Sequence, residues 1–410
     1  MKKSAKVIFT IIAALIGAGF ASGQEINTFF YIYGIKGIIG LLVCCVILIC
    51  IIYKTFKILQ NENIFNYKNF IDIIVKKKSS KKYLNTSFII NTIVNLFLMI
   101  TFFIMLAGFG AYFSQELKLN VYIGSGILAI SCFITFLTNV NGVVKISSIL
   151  VPILIFFIIL IGIININTMD LKNTINTLNI TNNRSNWLLS SVLYCSYNSI
   201  LLIPILIPLK KYVIKSKDNF LVSIISGLII FLLAISIFFL LTRIQIDINK
   251  LEMPALYIIG KYYTQFRPIY ALIILCSIYT TAISIGISLL ENVAKDKKSY
   301  VLISAFICII GFFISGFGFS NLVTLIYPIF GYLGLIQIGA ILKWKKRSKG
   351  TGLIDRSAKR DGGFWQKSCQ FSPSLLAEYV IDYLFCLIYI CLIAICPLYL
   401  LFHLCLHLLL

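Results

Sequence analysis

The sequence predicts an all-α polytopic membrane protein of ten spans, set out as two five-span repeats of opposite orientation, with spans one and six interrupted. Three observations predict it. Of 410 residues, 60% are hydrophobic and 12% charged, and the mean hydropathy is +0.97; a soluble globular chain is roughly half apolar. Apolar runs of about 20 residues, the length that crosses a bilayer as a helix, recur along the chain. Small and polar residues from Gly17 to Glu25 interrupt the first of these runs halfway. Such runs are helices because a backbone in lipid must satisfy its own hydrogen bonds. The ~10-residue alternating segments of a membrane barrel do not occur.

The predicted spans are 6–33, 35–53, 85–112, 120–140, 146–167, 187–209, 220–242, 269–290, 300–318 and 321–342. The basic, then apolar N-terminus imitates a signal peptide. Gln24 and Glu25 are followed by more apolar sequence, so an uncleaved first span is expected. Sliding the chain by 176 residues lays Pro152 of span five on Pro328 of span ten, and spans three to five on spans eight to ten. Five spans per unit is an odd number, so the second unit lies upside down relative to the first. An inverted repeat of this kind is a transporter architecture. The expected core is 1–345, with repeat one at about 5–168 and repeat two at about 187–342. A charged cytoplasmic linker, 346–378, and a possible eleventh span, 379–402, follow. After Ser348 the composition changes, as in an end read in another frame or a genuine extra span.

The net charge is +22, from 36 Lys and Arg against 14 Asp and Glu. Its placement matters more than its size. Eight lysines lie between 54 and 82, four in 210–217, three in 295–298, and the cluster KWKKR at 343–347. The alternate loops hold far fewer. This is the positive-inside pattern, with a cytoplasmic N-terminus, and it argues against nucleic acid as a partner. Abundant Ile, Asn and Lys suit an AT-rich bacterial genome, hence a bacterial cell membrane. The twelve cysteines form no C-x-x-C pair and read as small buried hydrophobes. No nucleophile with a base, carboxylate pair or P-loop is present, so an enzyme is not expected.

Gly17, Gly19 and Gly23 each lower helix propensity by about 1 kcal/mol relative to Ala, and they let a backbone or ligand come close. Ser22, Gln24 and Glu25 place polar groups beside the opened backbone. In the inverted-repeat architecture, half-helix amides face anionic substrate groups and freed carbonyls coordinate a cation. Gly19 and Gly23 also form a G-x-x-x-G packing face. GAGFASG approximates a dinucleotide fingerprint, but the strand that motif requires is missing. Glu25 is the one carboxylate well inside a span of the ten-span body. Burying a charge there costs at least about 2.5 kcal/mol, so it is either functional or a hydrogen-bonded structural acid. Span six offers Ser196, Tyr197, Asn198 and Ser199 at its middle, then Pro204 and Pro208. The candidate substrate residues are therefore Ala18, Gly19, Ser22, Gly23, Gln24 and Glu25, with Asn91 and Asn95 of span three and Ser196, Tyr197 and Asn198 of span six. In span eight, Ser277, Thr281, Ser284 and Ser288 share a helical face, beside Thr280. Hydroxyls with carbonyls suit a hard monovalent cation; equally, such hydroxyls bond carbonyls of their own helix.

GAGFASGQEI, with YNS at the centre of span six, resembles the hallmark of the YkvI-like family of uncharacterised bacterial membrane proteins over roughly residues 5–345. That family is placed with the amino acid–polyamine–organocation superfamily, whose leucine-transporter-type members share the five-plus-five inverted repeat. The resemblance implies a substrate between spans one, three, six and eight. It also implies a sodium site at Gly17, Phe20, Thr281 and Ser284. Proton-coupled relatives place a lysine in mid span five; this chain has SSILVPILIF there, which favours Na+ as coupling ion over H+. The function expected is cation-coupled secondary transport of a small solute, such as an amino acid or amine, across the lipid bilayer. A non-transporting sensor or scaffold component on the same fold, or a channel, is the alternative. No cofactor other than the coupling ion is expected, and oligomeric state is left open.

Overall fold

The structure, a computed structural model, describes residues 2–62, 64, 67–75, 81–137, 141–168, 186–213, 216–243, 251–294 and 296–344. The expected eleventh span and the 346–378 linker lie outside these residues. Among the described residues, seven helices are long and apolar enough to cross a membrane, and three shorter apolar helices complete the ten expected spans.

Span one is three helical pieces, Lys2–Leu15, Ala18–Ser22 and Gln24–Phe29, closed by a tight turn at Tyr31–Tyr33. The other spans are single helices: two, Ile35–Asn61; three, Lys81–Leu117; four, Val121–Leu137; five, Asn141–Asn167; six, Trp187–Leu209; seven, Ser216–Leu241; eight, Arg267–Val293; nine, Lys297–Ile314; ten, Phe319–Lys343. Spans two and three outrun their apolar cores by a turn or more. A helix longer than the ~30 Å hydrocarbon layer simply continues into the interface. Two short helices lie between spans: Tyr67–Val75 on the face where span one starts (the near face) and Pro254–Tyr262 on the far face.

Span six departs from expectation, because it is one unbroken helix from Trp187 to Leu209. Its polar centre does not open the backbone. Ser196 donates to the Val192 carbonyl at 2.7 Å, Asn198 to the Tyr194 carbonyl at 2.9 Å and Ser199 to the Ser196 carbonyl at 2.7 Å. The span contains no glycine. Its prolines, like Pro152 and Pro328 inside spans five and ten, are carried within the helix, as neighbouring spans permit.

Span two packs on both six and seven, and spans three, four, eight and nine form a second group. Span five joins seven to eight, and span ten lies along six and reaches three. The pieces of span one run between the groups: Ala18–Ser22 packs on eight and three, Gln24–Phe29 on ten, seven and six.

Gly23 makes the second interruption of span one possible. Its φ of +86° is left-handed, and an added Cβ would meet Leu241 at 3.2 Å. For any other L-residue that conformation costs roughly 1–2 kcal/mol. Gly23→Ala is therefore expected to lower stability by about that amount, with Gly23→Asn less harmful. Thermal unfolding of the detergent-solubilised protein checks this; an unchanged midpoint for Gly23→Ala would contradict the strained turn.

Candidate site at the break in span one

The hydrogen-bond ladder of span one stops at Ile16, whose amide bonds the Ile12 carbonyl at 2.9 Å, and restarts at Ala21, whose amide bonds the Gly17 carbonyl at 3.0 Å. Gly17 between them is extended, at φ −93° and ψ −165°. The Ile16 carbonyl, freed by this gap, is met from span eight. Ser277 donates to it at 2.7 Å and Thr281 at 3.4 Å. Seven residues before Ser277, Tyr270 donates to the Ala21 carbonyl at 2.7 Å. One face of span eight thus serves the opened backbone of span one. Beside it lies a cavity of about 10 Å³ lined by Ala13, Ile16, Val151, Leu154, Ser277 and Thr280, among others. That is close to the smallest space that takes one water-sized occupant. Span five contributes only aliphatic side chains to it.

The second feature is Glu25, 4% exposed. Its Oε2 accepts from the Tyr197 hydroxyl of span six at 2.6 Å, with Tyr194 and Phe20 close by. The carboxyl folds back on span one so closely that a Cβ on Gly19 would lie 2.3 Å from Oε1. The Tyr197 ring stacks on Tyr327 of span ten with centroids 4.6 Å apart, and Tyr194 meets it edge-on at 5.3 Å. Phe29 and Phe97 close the cluster.

The expected residues divide. Ala18, Gly19, Phe20, Ser22, Gly23 and Glu25 gather at the break, all buried. Ser22 is used internally, donating to the Gly19 carbonyl at 3.2 Å and accepting from the Gln24 amide at 3.4 Å. Gln24, also buried, turns toward the far face and donates to the Leu251 carbonyl. That bond ties span one to the far-face segment leading into Pro254–Tyr262. In the same segment Glu252 accepts from the Ser320 amide at 2.6 Å and the Met253 amide donates to Gln115 at 2.9 Å. Of the polar centre of span six, Tyr197 reaches Glu25, whereas Ser196 and Asn198 bond their own helix. Asn91 and Asn95 do not line the break. Span three presents Met105 and Gly108 there, near Gly17 and Ala18, about 15 Å along the helix from Asn95. Asn95 instead accepts from Asn292 of span eight at 3.3 Å. Thr281 and Gly17 do meet, with the added Cβ of Gly17 3.4 Å from Thr281 Cγ2. Ser284 donates to the Thr280 carbonyl at 2.8 Å, one turn away from the break. Sequence reasoning gave no site role to Ile16, Tyr194, Tyr270 or Tyr327, and it placed the hydroxyl contact one turn late. Of the face read as 277, 281, 284 and 288, Ser277 and Thr281 are the members that meet the Ile16 carbonyl.

Fold and site define a multi-pass helical membrane protein whose first span opens at mid-depth against spans six and eight. No protein-family model matches the chain. It is 26% identical over 342 residues to the uncharacterized membrane protein YkvI of Bacillus subtilis (strain 168), covering 83% of this chain and 95% of that protein. Among solved structures it is similar to a manganese transporter of Eremococcus coleocola in complex with an aromatic bis-isothiourea substituted compound. The TM-score is 0.59 at 12% identity, over 83% of this chain and 78% of that one. It is also similar to a Na+-coupled sialic acid symporter in a substrate-bound outward-open state, with a TM-score of 0.53 at 11% identity over 82% and 77% of the two chains. At such identities the likeness is one of fold, and the fold is the leucine-transporter type.

Proposed function

We propose that the protein is a cation-coupled secondary transporter of a small solute, such as an amino acid or amine, working by alternating access. One observation carries the reading: a carbonyl freed in span one faces two hydroxyls of span eight, at the seam between two helix groups. A membrane helix with no further task keeps its ladder closed, because each opened amide or carbonyl at that depth must find a partner. Here the partners are neutral oxygens, the donor type that suits Na+. The Ile16 carbonyl with Ser277 and Thr281 would hold the ion, and the aliphatic wall from Val151 and Leu154 offers no amine in its place. H+ is the alternative coupling ion. The proteins named above as a manganese transporter and a Na+-coupled symporter share this fold, which agrees with transport. Manganese itself is not favoured, since among the described residues no three His, Cys, Asp or Glu come together.

Ion and solute at the seam would set the balance between the two helix groups, because a ligand shifts a two-state equilibrium only by its differential affinity. Opening the far face requires the 251–262 segment to lift from Gln24 and from the start of span ten. The placement of lysines supports a cytoplasmic near face. The test is uptake of labelled amino acids and amines by proteoliposomes under an inward sodium gradient. Accumulation that vanishes when the gradient is collapsed is expected. Binding without accumulation would replace a transporter by a sensor, and downhill flux indifferent to sodium would replace it by a channel.

A further inference from the structure

Resting on the reading of this seam as a solute site, we infer that the solute is an organic ammonium ion without a carboxylate of its own, and that Glu25 is its partner. A solute carboxylate bound at an opened first span needs free amides there. At this break the Glu25 carboxyl already lies against Gly19 of that stretch. A second carboxylate would sit beside the first, and two adjacent like charges at low dielectric repel strongly.

Every partner of Glu25 is neutral. The Tyr197 hydroxyl of span six donates to it, Tyr194 and Phe20 lie close by, and from span ten the Tyr327 ring stands behind Tyr197. The ion pair of Arg267 with Glu116 lies on the far face. An acid at this depth without a cation either bears a costly charge or keeps its proton, and an incoming ammonium would stabilise its charged form. The surroundings are aromatic, with Tyr194, Tyr327 and Phe29 packed around Tyr197. Gly19 also acquires a reason, since only a residue without Cβ lets the carboxyl fold into this place.

The experiment compares amines with their parent amino acids on the full-length protein purified in detergent with sodium. The probes are phenethylamine against phenylalanine, isoamylamine against leucine, and putrescine against ornithine, read as shifts in unfolding temperature over a concentration series. At least one amine is expected to stabilise the protein with an apparent affinity about tenfold or more above that of its parent, the worth of one ionic contact. Glu25→Gln is expected to remove that preference. If Glu25→Gln fails to fold, the paired comparison in the unaltered protein decides alone. An amino acid that binds as well as or better than its amine overturns the inference while leaving sodium-coupled transport standing. Amine binding unchanged in Glu25→Gln does the same. Silence of every pair, with and without sodium, overturns both.

Discussion

Gly19→Ala is expected to reduce uptake to background while the protein still folds. The added methyl group would fall 2.3 Å from Glu25 Oε1 and 2.7 Å from its Cγ, well inside contact distance. Either the carboxyl swings away or span one shifts. Overpacking of this kind costs about 1–3 kcal/mol. Displacing the carboxyl also breaks its bond from the Tyr197 hydroxyl, and leaving a buried hydrogen-bonding group unpaired costs about 1–3 kcal/mol. The loss is specific if shortening the acid compensates. Glu25→Asp withdraws the carboxyl by one methylene, so the double variant should recover stability relative to Gly19→Ala alone. Residues in contact show such non-additivity and distant ones do not. A double-mutant cycle by thermal unfolding measures it. Additive effects, or a Gly19→Ala protein with ordinary uptake, would show that the close approach carries no function.

Ser277→Ala and Thr281→Val are each expected to raise the sodium concentration for half-maximal uptake about tenfold, the equivalent of about 1.4 kcal/mol. Together they leave the Ile16 carbonyl without either of its hydroxyl partners in the structure. An unpaired buried carbonyl costs about 1–3 kcal/mol, so the double variant should also melt earlier. Thr281→Val keeps the side-chain shape and removes the oxygen alone. Ser284→Ala is the contrast, since that hydroxyl bonds the Thr280 carbonyl of its own helix and should leave sodium dependence unchanged. Loss of sodium dependence in Ser284→Ala but not in Ser277→Ala would move the ion one turn along span eight and refute the geometry described here.

That one-turn displacement shows where sequence reasoning reaches and where it stops. Hydrocarbon thickness sets the length of an apolar run, so the ten spans could be read directly. The interruption of span one was legible for a related reason: glycines and a carboxylate at mid-depth have no place in a plain membrane helix. Span six was misread because polarity alone does not open a backbone. Ser196, Asn198 and Ser199 satisfy themselves on carbonyls three or four residues back, and no glycine accompanies them. Span eight repeats its hydroxyls at 277, 281, 284 and 288, so the face was visible but not the stretch of it that meets Ile16. Asn91 and Asn95 attracted notice for their polarity, yet depth along span three puts them beyond reach of the break. Tyr194 and Tyr327 are two of 22 tyrosines, and nothing local distinguishes a tyrosine that shelters a carboxylate from one that fills a gap.

The two halves of the scaffold share a pattern of spans but not a stiffness. Span one is jointed at Gly17 and Gly23, whereas span six is a rod from Trp187 to Leu209. Bending a rod means breaking its internal bonds, while a joint turns with little resistance. If the seam opens to one side of the bilayer and then to the other, as proposed above, those movements would not be mirror images: span one would flex at its joints, and span six would tilt as a solid bar.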